Sequence, residues 1–365
     1  MSEVWRARLD EPAALAATDA GDMLGRLAAF PALLAAARRA GLPPGWELES
    51  PARRPPGRLL IGAMGGSAIA GDLLAGFYAA GGSGVDCQLL AVRDYRLPPL
   101  RPRDALVLCS YSGETEEVLA LLGEARAAGL APLVVTAGGR LAAATADCPC
   151  FTLPSGHVPR AALPAILGRL LAIGAGLGLH DEAAESPGEL GPSLAALAAD
   201  CSPDRPLAAN PGKALALALG EARPIFCALA PAWAGVALRL RCQFEENAGR
   251  SAHRRSLPEL QHNSWIPWTA GDLPGLPIWL GAEAAHPRVL LRRRHVDALL
   301  AAHGLAALTI GARGAGLLPR LLTSLLLGDS MTVYHALMRG VDPTPTPALA
   351  ELKRRLAESR EPGCA

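Results

Sequence analysis

Gly62-Ala63-Met64-Gly65-Gly66-Ser67-Ala68-Ile69-Ala70-Gly71-Asp72 follows the apolar run Leu59-Leu60-Ile61, and Ser110-Tyr111-Ser112-Gly113-Glu114-Thr115 follows Ala105-Leu106-Val107-Leu108-Cys109. Each apolar run reads as a buried strand, and each small or hydroxylated stretch as the turn carrying it into a helix. Such a turn exposes backbone N–H groups at a helix N-terminus, a geometry that binds anions and phosphate in particular. Ser and Thr hydroxyls add donors without adding charge. The segments together read as a phosphate cradle with no arginine clamp of its own. No Gly-Lys-Ser/Thr follows the glycines, which excludes a nucleotide-type phosphate loop, and glycines at 62, 65, 66 and 71 do not spell Gly-x-Gly-x-x-Gly. The glycine run alone is equally a tight turn. Ser110, Ser112 and Thr115 around Gly113 exceed what a helix cap needs, and Glu114, Glu116 and Glu117 suit the positive end of a helix dipole.

Outward from these turns, residues 57–180 alternate short apolar strands (58–62, 86–92, 105–109, 132–136, 150–153) with alanine-rich helices. That βαβ pattern predicts an α/β fold with a parallel sheet covered on both sides. Both turns then sit at the carboxyl ends of strands, where such sheets bind ligands, and share one crevice. Before this unit, residues 11–41 read as mostly helical, with a break at Pro31 and an end at Gly41-Leu42-Pro43-Pro44-Gly45. After it, Pro/Gly/Ser-rich stretches at 186–193 and 201–212 suggest a linker. A second α/β unit follows, with strands at 224–229, 277–281 and 305–311, a helix opening near Gly212-Lys213-Ala214 and another over 233–249. Residues 317–339 read as one or two apolar helices, 348–359 as an amphipathic helix, and the chain from Arg360 as disordered. The stretches 181–205 and 269–305 carry no legible motif.

The 365 residues suffice for two domains, and half are hydrophobic. The net charge of +1 argues against a nucleic-acid partner. Met1 to Arg6 contain no apolar signal region, and the most apolar run, Leu163 to Leu179, is interrupted by Arg169, so neither a signal peptide nor a membrane span is expected. The cysteines at 87, 109, 148, 150, 201, 227, 242 and 364 form no Cys-x-x-Cys pair. Several sit in apolar strand-like runs and read as buried thiols, with a reducing cytoplasm the natural setting. No His/Asp/Glu cluster has metal-ligand spacing, so no metal is expected.

The paired turns resemble those of the sugar isomerase (SIS) domain, a flavodoxin-like αβα sandwich that binds phosphosugars. Further matches fall in order along the chain: Gly156-His157-Val158-Pro159-Arg160-Ala161-Ala162, Phe244-Glu245-Glu246-Asn247, Leu257-Pro258-Glu259-Leu260-Gln261-His262-Asn263, Asp342-Pro343-Thr344-Pro345 and Leu352-Lys353. From about Asp22 to Leu356 the chain resembles the bifunctional phosphoglucose/phosphomannose isomerase family. The resemblance implies two SIS domains with parallel sheets. The expected division is a helical segment over 1–45, a phosphosugar-binding SIS domain over 46–185, a linker over 186–212 and a second SIS domain over 213–365.

It also implies roles. Glu246 matches the family's proton-transfer base, selected over Glu245 by the following Asn247. Arg160 resembles the arginine that stabilises the enediolate; its guanidinium stays charged and donates paired hydrogen bonds. His262 resembles the ring-opening histidine supplied by a neighbouring subunit, which implies a homodimer; Gln261 departs from the family's Asn. Lys353 resembles the ring-opening lysine, and Thr346 the threonine beside C2 that admits both epimers, with Thr344 a competing assignment. Gly65, Gly66, Ser67, Ser110, Ser112 and Thr115 would hold the phosphosugar, with no cofactor. Each type has a plainer reading: a lysine on a polar helical face is ordinarily solvated, a loop histidine ordinarily exposed, and an arginine in so arginine-rich a chain ordinarily on the surface. His157, His253 and His335 read as structural. The expected activity interconverts glucose 6-phosphate and mannose 6-phosphate with fructose 6-phosphate. The alternatives are a non-catalytic phosphosugar-binding regulator, disfavoured because the first forty residues hold too little helix for a DNA-reading helix-turn-helix and no basic patch, and a degenerate isomerase without turnover, disfavoured by the presence of Glu246, Arg160, His262 and Lys353 together.

Overall fold

The structure, a computed structural model, describes residues 2–40, 43, 55–82, 84–181 and 185–358. Apart from Pro43, the turn expected at 41–45 lies outside these residues, as does the tail from Arg360. The chain opens with four helices, α1 (Ser2–Leu9), α2 (Pro12–Thr18), α3 (Met23–Ala28) and α4 (Phe30–Arg39). This is more helix than the sequence suggested. Asp19 stops one helix and starts the next: its two carboxylate oxygens accept the Met23 and Leu24 N–H groups, each at 2.8 Å. Pro31 does not break a helix internally. It occupies the first turn of α4, where a missing N–H costs nothing.

The first α/β unit runs β1 (Arg58–Ala63), α5 (Gly65–Phe77), β2 (Gln88–Val92), β3 (Asp104–Ser110), α6 (Glu116–Ala127), β4 (Leu133–Thr136), α7 (Gly139–Ala144), β5 (Cys150–Thr152) and α8 (Leu163–Gly176). Its strands are parallel in the order β2-β1-β3-β4-β5. The segment read as a linker carries α9 (Pro187–Asp200) and the start of α10 (Pro211–Leu219). Leu190, Leu194 and Leu197 of α9 are buried at helical spacing. Asn210 caps α10 by accepting the Lys213 N–H at 3.0 Å.

The second unit holds β6 (Pro224–Ala228), α11 (Ala234–Ala248), β7 (His253–Ser256), α12 (Leu260–Asn263), α13 (Trp265–Thr269), β8 (Leu276–Leu280), α14 (Pro287–Ala302), β9 (Leu308–Ile310), α15 (Leu317–Met338) and α16 (Pro347–Glu358). Its sheet is also parallel, in the order β7-β6-β8-β9. Helix α15 is a single helix buried on nearly every face, which is why its sequence shows almost no polar stripe. The helices that follow the first strand of each unit, α5 and α11, meet through glycines. A Cβ on Gly76 would lie 2.6 Å from the Ala232 carbonyl oxygen, and one on Gly235 3.1 Å from the Asp72 backbone. This close approach brings the start of α5 towards the polar face of α11. Among the described residues, no helix is long and apolar enough to cross a membrane.

Candidate active site

In the first sheet β1 and β3 are neighbours, with Gly62 abreast of Leu108 and Ala63 abreast of Cys109. The two quoted turns therefore leave the same sheet edge side by side, at the point where strand order reverses. Met64 is extended and no side chain caps α5, so the N–H groups of its first turn remain for a ligand. Gly65 has φ +51°, in the left-handed region that glycine enters without cost. Ser67 is buried, and its hydroxyl meets the Cys109 thiol, which burial pushes up to about 12.

The second turn is tied by its own hydroxyls. Ser110 Oγ and Thr115 Oγ1 are 2.7 Å apart, the Gly113 N–H donates to Ser110 Oγ at 3.1 Å, and the Glu114 N–H donates to Ser112 Oγ at 3.2 Å. Thr115 occupies the N-cap position of α6 without capping it through its side chain. The Ser110–Thr115 pair consumes one hydroxyl proton, and the other is free to meet an anion. Gly113 has φ +69°, and a Cβ there would fall 1.8 Å from the Gly138 carbonyl oxygen.

Arg160 lies on a single helical turn, Pro159–Ala162, and is 5 % exposed. Its Nε donates to Asn247 Oδ1 at 3.1 Å, and its Nη2 donates to the Thr344 carbonyl at 2.8 Å and to the Pro343 carbonyl. Its Nη1 faces Glu246 Oε2 at 3.7 Å. Burial lowers the guanidinium pKa from its ordinary value, and the Glu246 carboxylate opposes that shift. A Cβ on Gly66 would lie 3.5 Å from Arg160 Cα and from the Pro159 carbonyl oxygen. The first turn, Arg160 and Glu246 thus converge.

Helix α11 separates the two adjacent acids. Glu246 faces Arg160, its side chain 32 % exposed, while Glu245, 37 % exposed, pairs with Arg241 at 3.9 Å instead. A guanidinium beside a half-buried carboxylate, next to an uncapped helix start, is equipped to move a proton and stabilise the oxyanion that results.

The other expected residues make fewer contacts with this cluster or none. His262 is exposed on α12, and Lys353 is exposed on α16. Among the described residues neither side chain has a hydrogen bond or ion pair with Arg160, Glu246 or the turns. Thr346 is half-buried, its carbonyl accepting the first N–H groups of α16. Thr344 is nearer to Arg160, but through its carbonyl; its side chain faces Gly21, with Oγ1 buried and unpartnered. His335 is buried with Nε2 on the Gly220 carbonyl at 3.0 Å, consistent with a structural part.

Residues given no role of their own from sequence complete the cluster. Asn247 links Arg160 to Thr332, its Nδ2 donating to Oγ1 at 2.9 Å. Arg239, Gln243 and Glu246 share one face of α11, and polar residues at that spacing on an apolar helix were the legible signal. Asp329 is the sole acid of α15 and pairs with Arg239.

Known proteins match along most of the chain. Residues 208–356 match the family model of the bacterial phospho-glucose isomerase C-terminal SIS domain. A bifunctional phosphoglucose/phosphomannose isomerase of Aquifex aeolicus is 30% identical over 299 residues, covering 80% of this chain and 88% of the relative. One of Caldicellulosiruptor bescii is 30% identical over 312 residues, covering 83% and 91%. Among solved structures, the C-terminal domain of glucosamine-fructose-6-phosphate aminotransferase from Francisella tularensis superposes with a TM-score of 0.63 at 16% identity, covering 88% of this chain and 97% of that one. At that identity the superposition speaks to fold alone.

Proposed function

This chain belongs to the bifunctional phosphoglucose/phosphomannose isomerase family, and on that premise we propose that it interconverts glucose 6-phosphate and mannose 6-phosphate with fructose 6-phosphate through a cis-enediolate. The observation that carries the reading is Arg160 Nη1 at 3.7 Å from Glu246 Oε2, beside the uncapped start of α5.

The 6-phosphate binds at the Ser110–Thr115 turn, its oxygens accepting hydrogen bonds from the spare hydroxyl and the first N–H groups of α6. Gly65, Gly66 and Ser67 face the other end of the sugar, and the lack of side chains on the glycines lets the substrate backbone approach closely. Glu246 takes the proton from C2 of the aldose and returns it to C1, and the reverse for the ketose. The negative charge that develops on the C1 and C2 oxygens is met by Arg160 Nη1, the donor of that guanidinium not committed to a protein carbonyl or amide. Thr346 leaves room beside C2 for the enediolate to accept a proton on either face, which yields both epimers. Holding the phosphate at one point and the reacting carbons at another supplies much of the rate through orientation.

Ring opening falls to His262 and Lys353. Both are exposed and neither bonds to the cluster among the described residues, and a second copy presenting His262 at the partner's crevice accounts for the exposure of a histidine with this role. A homodimer is therefore part of the proposal, as is a cytoplasmic setting that keeps the thiols reduced. The test is a coupled assay on purified protein with each hexose phosphate. Turnover of glucose 6-phosphate and mannose 6-phosphate to fructose 6-phosphate is expected, and binding without turnover of any of them would favour the regulator instead.

A further inference from the structure

Arg239 stands on α11 two turns before Glu246 and is 3 % exposed; its partner Asp329 on α15 is 1 % exposed. Arg239 Nε lies 3.2 Å from both carboxylate oxygens, and Nη2 lies 2.9 Å from Oδ2. The same Nη2 donates to the backbone carbonyl of Arg160 at 2.9 Å. The third nitrogen, Nη1, is buried with no hydrogen-bond partner, and lies 3.9 Å from the position a Cβ on Gly66 would take. One guanidinium of the second α/β unit thus bonds to Arg160 and lies beside Gly66, the two pieces that the first unit brings to the reacting end of the site.

We propose that Arg239, oriented by Asp329, is a positioning residue of the isomerisation site: it pins the main chain of Arg160 and backs the Gly66 turn, in register with the Glu246 carried by its own helix. The inference rests on the isomerase reading. The side chain of Arg160 is held at its head by Asn247, Pro343 and Thr344. Arg239 holds it at its base. With both ends fixed, Nη1 of Arg160 has one place to be, opposite Glu246.

Stability does not explain the pair. Replacing a buried ion pair by well-packed apolar residues is often neutral or stabilising, whereas removing one partner strands a buried charge. What apolar residues cannot supply is a donor to the Arg160 carbonyl. Burial pushes the Asp329 carboxyl up and the Arg239 guanidinium pulls it back, so the carboxylate depends on Arg239 for its charge. A shift of about 1 Å at reacting groups costs on the order of 100-fold in rate, so losing the pin shows in kcat before it shows in binding.

The experiment compares wild type with Arg239→Lys and with the double variant Arg239→Met/Asp329→Leu. It reads melting temperature, kcat and KM for fructose 6-phosphate, and the crystal structure of the double variant. The expected result is a melting temperature within a few degrees of wild type, kcat lower by about 10–100-fold, KM changed by less than about threefold, and Arg160 displaced from Asn247. Wild-type kcat in the double variant with Arg160 in place overturns the proposal, as does a lost melting temperature with normal kcat in the folded fraction. Should the double variant fail to fold, Arg239→Lys decides. It keeps the charge but cannot reach Asp329 and the Arg160 carbonyl together, so full kcat would refute the pin and a fall in kcat at near-normal KM supports it. A wild-type protein inactive on all three sugars defeats the isomerase reading, and the position of Arg160 in the variant crystal still decides whether Arg239 pins it.

Discussion

Substituting Gly113 by alanine isolates the second turn from everything else in the site. Gly113 has φ +69°, which costs an L-residue about 1–2 kcal/mol. The new Cβ would also stand 1.8 Å from the Gly138 carbonyl oxygen, and 3.0 Å is the floor for such contacts, so the turn and the 138–139 loop must separate by about 1.2 Å. Gly139 is at φ +71° and packs back on the Ser112 carbonyl, so that loop has little freedom to retreat. The displacement exceeds the ~0.5 Å within which a binding constellation keeps its geometry. We expect KM for fructose 6-phosphate to rise about 10–100-fold, with inorganic phosphate losing potency as a competitor in parallel, and stability to fall by about 2–4 kcal/mol. Gly123→Ala is the control. Gly123 lies inside α6 with no atom within 4 Å of its new Cβ, so the change should leave KM alone and stabilise by about 0.5–1 kcal/mol. Steady-state kinetics and thermal melts on both variants read the outcome. If Gly113→Ala melts lower yet binds phosphosugar as wild type does, the turn does not hold the phosphate.

Arg160→Lys removes the bonds to Asn247 and Thr344 while keeping a positive charge; kcat should fall by about 100–1,000-fold, measured in the same coupled assay, and a fall under threefold would remove Arg160 from the chemistry. His335 gives a pH signature. Burial pushes it from 6.5 down to about 4, so between those values the unfolded chain binds a proton that the folded chain refuses. Stability should therefore fall as pH drops from about 6.5 to about 4, by roughly 3 kcal/mol in all; denaturant titrations should show this slope flattened in His335→Gln, and an unchanged slope would assign it elsewhere. For the shared site, mixing Glu246→Gln chains with His262→Ala chains should restore activity in hybrids. No recovery after demonstrated subunit exchange would place His262 outside the partner's crevice.

The parts of this fold that rest on burial were legible. The runs at 59–61 and 105–109 became β1 and β3 because strands covered on both faces must be apolar throughout, and the residues after them had to be small for two helices to start there. What escaped reading lacked that signal. Strand β7, His253-Arg254-Arg255-Ser256, is a mostly exposed edge strand paired to β6, without the apolar run that marks a buried one. Helix α14 carries Arg292, Arg293 and Arg294 in succession, which hides its periodicity. Helix α9 begins in a Pro/Gly-rich stretch that resembles a linker, and its apolar spacing emerges only from Leu190 onward. In the site, Glu246 and Arg160 were found by resemblance, and the geometry pairs them. The Arg239–Asp329 contact was not legible, because it joins residues from two helices brought together only by the packing of α11 on α15.

The most direct measurement is turnover of fructose 6-phosphate in deuterated water by Glu246→Gln, beside calorimetric binding of the same sugar. The amide keeps the shape of the side chain and loses the base. Isomerisation and deuterium uptake at carbon should drop by about 100–10,000-fold while the sugar phosphate still binds. Turnover and uptake at the wild-type rate would mean that another group carries the proton.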